Sequence, residues 1–198
     1  MNKKIFSENC NLSSYTTIKV GGVAEYFAEP RNIEQFSYLI KWANLNKHRC
    51  QIIGAGSNLL INNIFIKGLV VCTKKLKSLK IEPYSGIVEA EAGVMLPTLS
   101  NSLAKNGLQG GEWAVGIPGT LGGAIYMNAG TGNLSLAKNL ISVKVINNKT
   151  YEKLEIKKKD INFEYRFTSF QKNDLTIISA RLHFEPNGNL ELRLFLVV

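Results

Sequence analysis

Eight consecutive residues, Gly116-Ile117-Pro118-Gly119-Thr120-Leu121-Gly122-Gly123, hold four glycines and a proline. They restrict the fold more than any other stretch of the chain. Glycine at that density weakens helix and strand interiors, and proline removes a backbone N–H. The expectation is a fixed irregular loop whose free N–H groups reach a phosphate or the edge of a planar ring. The stretch is also apolar and continues through Ala124 to Met127-Asn128-Ala129-Gly130. A greasy surface loop is unfavourable unless something covers it. A structural loop between hairpins is the plain alternative. A large planar cofactor would account for the apolar content as well.

A second glycine loop precedes it, in Ile53-Gly54-Ala55-Gly56-Ser57-Asn58-Leu59-Leu60. Two glycines leaving a strand allow a tight turn and close approach of a ligand. Consecutive N–H groups can form an anion nest, with Ser57 and Asn58 adding side-chain donors. The implied chemistry is pyrophosphate binding. The dinucleotide fingerprint of a doubly wound sheet is absent, because the third glycine is missing and no helical pattern follows. Taken alone, the motif fits a plain turn between strands equally well.

The rest of the chain frames these loops. Tyr15–Glu29 reads as extended, interrupted at Gly21-Gly22. Asn32 is a helix N-cap with Gln35 as its capping-box partner, and Ile33, Phe36, Leu39, Ile40 and Ala43 form one helical face, ending at Asn46-Lys47-His48. Cys50–Ile53 reads as a short buried strand and Leu69–Cys72 as another. Leu79–Glu82 and Ile87–Ala92 make a hairpin around Pro83-Tyr84-Ser85-Gly86, with Val88 and Ala90 facing inward. Pro97 and Gly107 bracket a helix bearing Leu99 and Leu103. A hairpin over 141–156 turns at Asn147-Asn148. Leu175–Phe184 is a long strand with Thr176, Ile178, Ala180, Leu182 and Phe184 on one face. Strand–helix–strand followed mostly by hairpins predicts an α+β chain of two small α/β subdomains, divided near residues 73–78.

Composition narrows the function classes. The chain has 198 residues, 45% hydrophobic content and a formal charge of +9. The lysines concentrate at Lys74–Lys80 and Lys153–Lys159, without interleaved aromatic residues for base stacking, so a solvated surface is favoured over a nucleic-acid partner. No apolar run reaches the length of a membrane span, and Ser7-Glu8-Asn9 interrupts any signal-like segment, so a cytoplasmic location is expected. Cys10, Cys50 and Cys72 form no CxxC pair and no metal set with His48 and His183. No disulfide and no metal are expected.

The two glycine loops, Met127-Asn128-Ala129-Gly130, Tyr15-Thr16-Thr17-Ile18-Lys19-Val20-Gly21-Gly22 and Phe163-Glu164-Tyr165-Arg166 together resemble the UDP-N-acetylenolpyruvoylglucosamine reductase family over about residues 11–186. The Gly116–Thr120 loop is similar to the family's shorter, second type. The resemblance implies the vanillyl-alcohol-oxidase (PCMH-type) FAD-binding fold, with subdomains at 1–73 and 74–187 and the start of a further substrate domain at 188–198. It implies non-covalent FAD, held by Gly54, Ala55, Gly56, Ser57, Asn58 and Leu59, by Gly116, Ile117, Pro118, Gly119, Thr120, Gly122 and Gly123, and by Asn128, Ala129 and Gly130. NADPH is the implied reductant. The implied reaction is reduction of a UDP-sugar, UDP-N-acetylglucosamine enolpyruvate, in peptidoglycan synthesis.

Arg166 matches the family's active-site arginine, whose planar guanidinium suits a carboxylate and growing negative charge. On residue type alone it fits a surface pair with Asp160 or Glu164 equally well. Tyr165 either positions substrate or packs, and packing ranks first. The family's proton-donating serine and late glutamate have no counterpart here, and Ser169 does not match that serine. The chain is therefore expected to have little activity alone. A stand-alone FAD-binding module is the competing reading. An oxidase with tethered flavin is disfavoured because neither histidine lies in a glycine loop. The oligomeric state is left open.

Overall fold

The computed structural model describes residues 5–62, 64–132 and 134–186. The expected domain start at 188–198 lies outside them. The first sheet is built from β1 (Ser7–Asn11), β2 (Val23–Ala28), β3 (Cys50–Ile53) and β4 (Phe65–Cys72), in the order β1-β2-β4-β3. β2 and β3 both run parallel to β4, whereas β1 is antiparallel to β2. Helix α1 (Ile33–Leu45) is the crossover between β2 and β3.

Local chemistry explains α1. The Asn32 side chain accepts from the Gln35 N–H at 2.9 Å, and Gln35 Oε1 accepts from the Arg31 N–H at 2.9 Å. The reciprocal cap thus reaches one residue beyond the expected Asn32 N–H. Phe36, Leu39, Ile40 and Ala43 are buried as the periodicity predicts. They pack not only on Leu69 and Val71 of the first sheet but also on Leu76, Ile146 and Ile178.

The second sheet follows Thr73–Ser78. Its hairpin β5 (Leu79–Glu82) and β6 (Ile87–Glu91) has the expected inward Val88 and Ala90. Next come α2 (Leu96–Lys105), the short strand β7 (Leu108–Gln109) and α3 (Leu121–Tyr126). A small hairpin, β8 (Gly130–Thr131) and β9 (Leu134–Ser135), leads into α4 (Leu136–Asn139). Then follow β10 (Leu140–Asn147), β11 (Lys153–Lys157) and the two-residue strands β12 (Phe163–Glu164) and β13 (Phe167–Thr168). β14 (Leu175–His183) is the middle strand of the antiparallel order β11-β10-β14-β6-β5, and β15 (Glu185–Pro186) pairs with β7. Val88, Leu99, Leu103, Leu121, Val143, Leu182 and their neighbours form the largest core.

Four local expectations are corrected. The extended reading of Tyr15–Glu29 holds only from Val23, because Leu12–Tyr15 form a 3₁₀ turn capped by Asn11. Strand β3 is not buried throughout: it lies at a sheet edge, and Ile52 is 38% exposed. The one-face reading of β14 is too simple, since Ile177 is buried along with Ile178 between two neighbouring strands. The expected irregular loop also ends early, because Leu121–Tyr126 are helical. Thr120 caps the Gly123 N–H at 3.5 Å, and Leu121, Ala124 and Ile125 are buried. Tertiary burial there outweighs the low helix propensity of Gly122 and Gly123.

Candidate flavin cleft

The first glycine loop leaves β3, and its root is fixed by two buried side chains. Thr73 Oγ1 donates to the Ile53 carbonyl at 3.2 Å, and Cys72 Sγ donates to the Gly54 carbonyl at 3.5 Å. The N-terminal Tyr15–Gly22 segment supports the loop from the other side through the Thr17 N–H, which donates to the Gly56 carbonyl at 3.2 Å. Tyr15 packs on Phe27 with ring centroids 4.3 Å apart. Its hydroxyl is pushed up to about 12 by burial, reinforced by nearby Glu29.

The second loop is pinned by backbone bonds. The Leu96 N–H donates to the Gly119 carbonyl at 2.9 Å, and the Leu121 N–H to the Val94 carbonyl at 2.8 Å. Two glycine positions set how closely the loops meet. A Cβ on Gly54 would collide with Thr120 Oγ1. Gly119 has φ +145°, a conformation that disfavours any side chain, and a Cβ there would stand 3.3 Å from Ser57 Oγ. Ser57 Oγ donates to the Pro118 carbonyl at 2.9 Å.

Together the loops border a cleft of about 970 Å³ between the two sheets. Such a volume lies at the upper end for small-molecule and cofactor sites. All of Gly54–Leu59 line it, as do Ile117, Pro118, Gly119, Thr120, Gly122, Gly123 and Ala129. Gly116, Asn128 and Gly130 do not. Apolar walls come from Ile53, Ala92, Leu96, Phe170 and Ile177. Among the described residues, the backbone N–H groups of Ala55, Gly56, Ser57 and Asn58 donate to no protein acceptor. Unengaged donors beside a long apolar wall fit a group with a pyrophosphate and a planar ring.

The opposite end of the cleft is polar. Asn44 Nδ2, on α1, donates to the Asn148 carbonyl at 2.7 Å, and Thr176 Oγ1 donates to Asn148 Oδ1 at 2.7 Å. His48 lines this end and stacks on Trp42, with centroids 5.3 Å apart and planes at 22°. Cys50 also lines the cleft, and burial pushes its thiol up to about 12. None of these residues was singled out for the site from sequence. Their common location depends on the packing of α1 against β10 and β14, which no local pattern encodes.

Arg166 lines the same cleft from the turn between β12 and β13. Among the described residues it forms no ion pair, so the expected alternatives with Asp160 and Glu164 are not formed. The packing reading of Tyr165 is overturned: the side chain is 91% exposed at the turn and does not line the cleft. Its ring lies 5.8 Å from Arg166 Cζ. Among the described residues, no three His, Cys, Asp or Glu side chains gather as a metal site, and no helix is long and apolar enough to cross a membrane.

A sequence model of the FAD binding domain family matches residues 24–150. The chain is 69% identical over 186 residues to a UDP-N-acetylenolpyruvoylglucosamine reductase of Prochlorococcus marinus subsp. pastoris, covering 94% of this chain and 63% of that protein. It is 46% identical over 193 residues to the protein of that name from Prochlorococcus marinus strain NATL2A, covering 98% of this chain and 66% of the relative. The chain thus spans just under two thirds of the length of these relatives. The crystal structure of UDP-N-acetylenolpyruvylglucosamine reductase from Thermus caldophilus superimposes with a TM-score of 0.76 at 26% identity, covering 92% of this chain and 64% of that one. An alkyldihydroxyacetonephosphate synthase shares the fold at a TM-score of 0.70 and 14% identity, covering 94% of this chain and 39% of its own. The architecture is the α+β, PCMH-type FAD-binding fold. With a match that runs from β2 through both glycine loops into the second sheet, the chain belongs to the FAD binding domain family.

Proposed function

We propose that this chain is the FAD-binding part of a UDP-N-acetylenolpyruvoylglucosamine reductase, which reduces UDP-N-acetylglucosamine enolpyruvate to UDP-N-acetylmuramate in cytoplasmic peptidoglycan synthesis. The observation that carries the reading is the meeting of both glycine loops and Arg166 on one cleft. The names of relatives matching more than nine tenths of the chain support it.

Non-covalently bound FAD supplies hydride-transfer chemistry, with NADPH as the reductant. The N–H groups of Ala55–Asn58 and the Asn58 side chain would hold the pyrophosphate. Ile117–Thr120, Gly122, Gly123 and Ala129 would cover the ring system, and Ile53, Leu96 and Ile177 would keep water from it. Arg166, with no carboxylate partner among the described residues, receives the carboxylate of the enolpyruvyl group. Its two parallel N–H donors then stabilise the negative charge that grows beside that carboxylate during reduction. Tyr165 contacts the substrate from the open side. The subdomains are taken as 1–73 and 74–187, with the cleft between them.

The test is the visible spectrum of the purified chain, titrated with NADPH and then with UDP-N-acetylglucosamine enolpyruvate. A flavin spectrum that the enolpyruvyl sugar shifts on binding, with or without turnover by the chain alone, supports the proposal. A flavin spectrum that neither NADPH nor the sugar changes favours a stand-alone FAD-binding module. Turnover driven by oxygen with an alcohol or amine points to an oxidase, and a colourless protein that takes up no FAD overturns the cofactor reading.

A further inference from the structure

Arg166 sits where an arginine is conformationally out of place. β12 and β13 pair Glu164 with Phe167, so Tyr165 and Arg166 are the two turn residues. Arg166 is the second of them and has φ +55°. A two-residue turn that needs a left-handed second residue selects glycine or asparagine there. A long side chain at that position relaxes unless its surroundings over-determine it. The hairpin cannot do so alone, since each strand is only two residues long and an isolated two-stranded hairpin is marginal in water.

The restraint comes from two side-chain amides, one on each side of the turn. Asn128 Nδ2 donates to the Glu164 carbonyl at 2.9 Å. Gln171 Nε2 donates to the Arg166 carbonyl at 3.2 Å and to the Tyr126 carbonyl at 2.8 Å. Buried Thr168 adds a bond from its Oγ1 to the same Tyr126 carbonyl at 3.0 Å. These bonds tie the turn to the C-terminal end of α3, the helix that continues from the second glycine loop. Asn128 has φ +44°, and its Oδ1 is buried without a partner. The orientation of its amide is set by the N–H that the Glu164 carbonyl requires.

We infer that Asn128 and Gln171 are positioning residues for Arg166: they clamp the carbonyls flanking Tyr165-Arg166 and so hold the left-handed backbone that presents the guanidinium to the cleft. Asn128 does not line the cleft whereas Gln171 does, so the double variant Gln171→Leu/Arg166→Gly separates action of Gln171 through Arg166 from a direct contact with the bound molecule. Rotation of Arg166 to negative φ would turn its carbonyl away from Gln171 and carry the side chain off the cleft. The inference rests on the reading of Arg166 as a carboxylate-binding residue.

The experiment uses the FAD-loaded full chain with Gln171→Leu, Asn128→Asp, Arg166→Gly and the double variant Gln171→Leu/Arg166→Gly. Two measurements are made on each. The first is the three-bond HN–Hα coupling and carbon shifts of residue 166 by NMR, which report the sign of φ without substrate. The second is the affinity for UDP-N-acetylglucosamine enolpyruvate, followed by the bound flavin's absorbance change. In the wild type, residue 166 is expected to be left-handed, and Gln171→Leu and Asn128→Asp should each lose that signature while retaining full FAD. Affinity should weaken about ten-fold or more in each. Adding Gln171→Leu to Arg166→Gly should weaken it no further, because Gln171 acts through Arg166. Retention of the left-handed signature in both single variants overturns the inference, as does an equal loss of affinity on adding Gln171→Leu to Arg166→Gly. If the flavin of the wild type ignores the enolpyruvyl sugar, the carboxylate reading fails. The NMR comparison still decides whether the amides hold the backbone.

Discussion

Ser57 and Pro118 are joined directly across 61 residues of sequence: the serine hydroxyl donates to the proline carbonyl at 2.9 Å. The bond locks one glycine loop to the other where both border the cleft. It also places Gly119, the residue after the bonded carbonyl, against Ser57 Oγ. The relative position of the loops is therefore specified by side-chain chemistry as well as by the sheets that carry them.

Gly119→Val tests this junction. The new side chain meets both an unfavourable φ of +145° and Ser57 Oγ. FAD occupancy, read as the flavin-to-protein absorbance ratio, should fall strongly, while Lys157→Ala on exposed β11 leaves it unchanged. Equal occupancy in the two variants would mean that the loop is structural only.

Gly54→Ala places a methyl group against Thr120 Oγ1, the atom that caps α3. Loss of a helix cap typically costs about 1 kcal/mol, and the displaced backbone adds to it. In Gly54→Ala/Thr120→Ala the collision is absent, so the double variant should lose less stability than the two single losses added together. Urea midpoints of the four proteins check this, and simple additivity would mean that the loops do not press on each other at this point.

The bound flavin should leave with acid. The expectation rests on side chains at the cleft: among the described residues Cys50 is its one thiol and is held protonated, and His48 is stacked on Trp42. Acid precipitation followed by absorbance of the supernatant should recover the yellow colour there as FAD. Colour retained in the pellet would indicate a covalent tether, and FMN in the supernatant would remove the pyrophosphate role of the first loop.

Stability should fall on the alkaline side, in part because of Cys50. An unfolded thiol of this type titrates near 9.0, and burial pushes the folded one up to about 12. Between those values the unfolded chain gives up a proton that the folded chain keeps. The contribution is thus fully present below pH 9 and is lost as pH rises, by about 1.4 kcal/mol per pH unit for one group. Tyr15 and Cys72 shift in the same direction. The difference between wild type and Cys50→Ala isolates the one thiol: urea midpoints from pH 8 to 10.5 should decline less steeply in the variant.

Local patterns were legible where one element decides its own structure. The Asn32 cap and the Ile33, Phe36, Leu39, Ile40 and Ala43 face define α1, and the Val88/Ala90 alternation defines β6. Strand β1 was not legible, because Ser7-Glu8-Asn9 is polar and lies exposed at a sheet edge. Nor was α3, where capping by Thr120 and burial of Ile125 override two glycines. The glycine loops were legible as special backbone, and both border the cleft. What brings Arg166 beside them is the bonding of Thr168 and Gln171 to Tyr126, across 42 and 45 residues. Gln171 carried no signal of its own, since a glutamine beside an aromatic residue is ordinary in any exposed turn.

The polar bond at the far end of the cleft, from Asn44 to the Asn148 carbonyl, has a mechanical consequence. With Ser57–Pro118 at the loops, it stitches the cleft as a seam, in addition to the apolar packing of α1 on Ile146 and Ile178. A molecule lying along the seam touches both edges and acts as mortar between them. Its binding energy then appears as cohesion of the whole chain, because only the closed seam offers the complete site. Flavin supply and resistance to proteolysis are therefore expected to rise together, which limited proteolysis with and without added FAD checks.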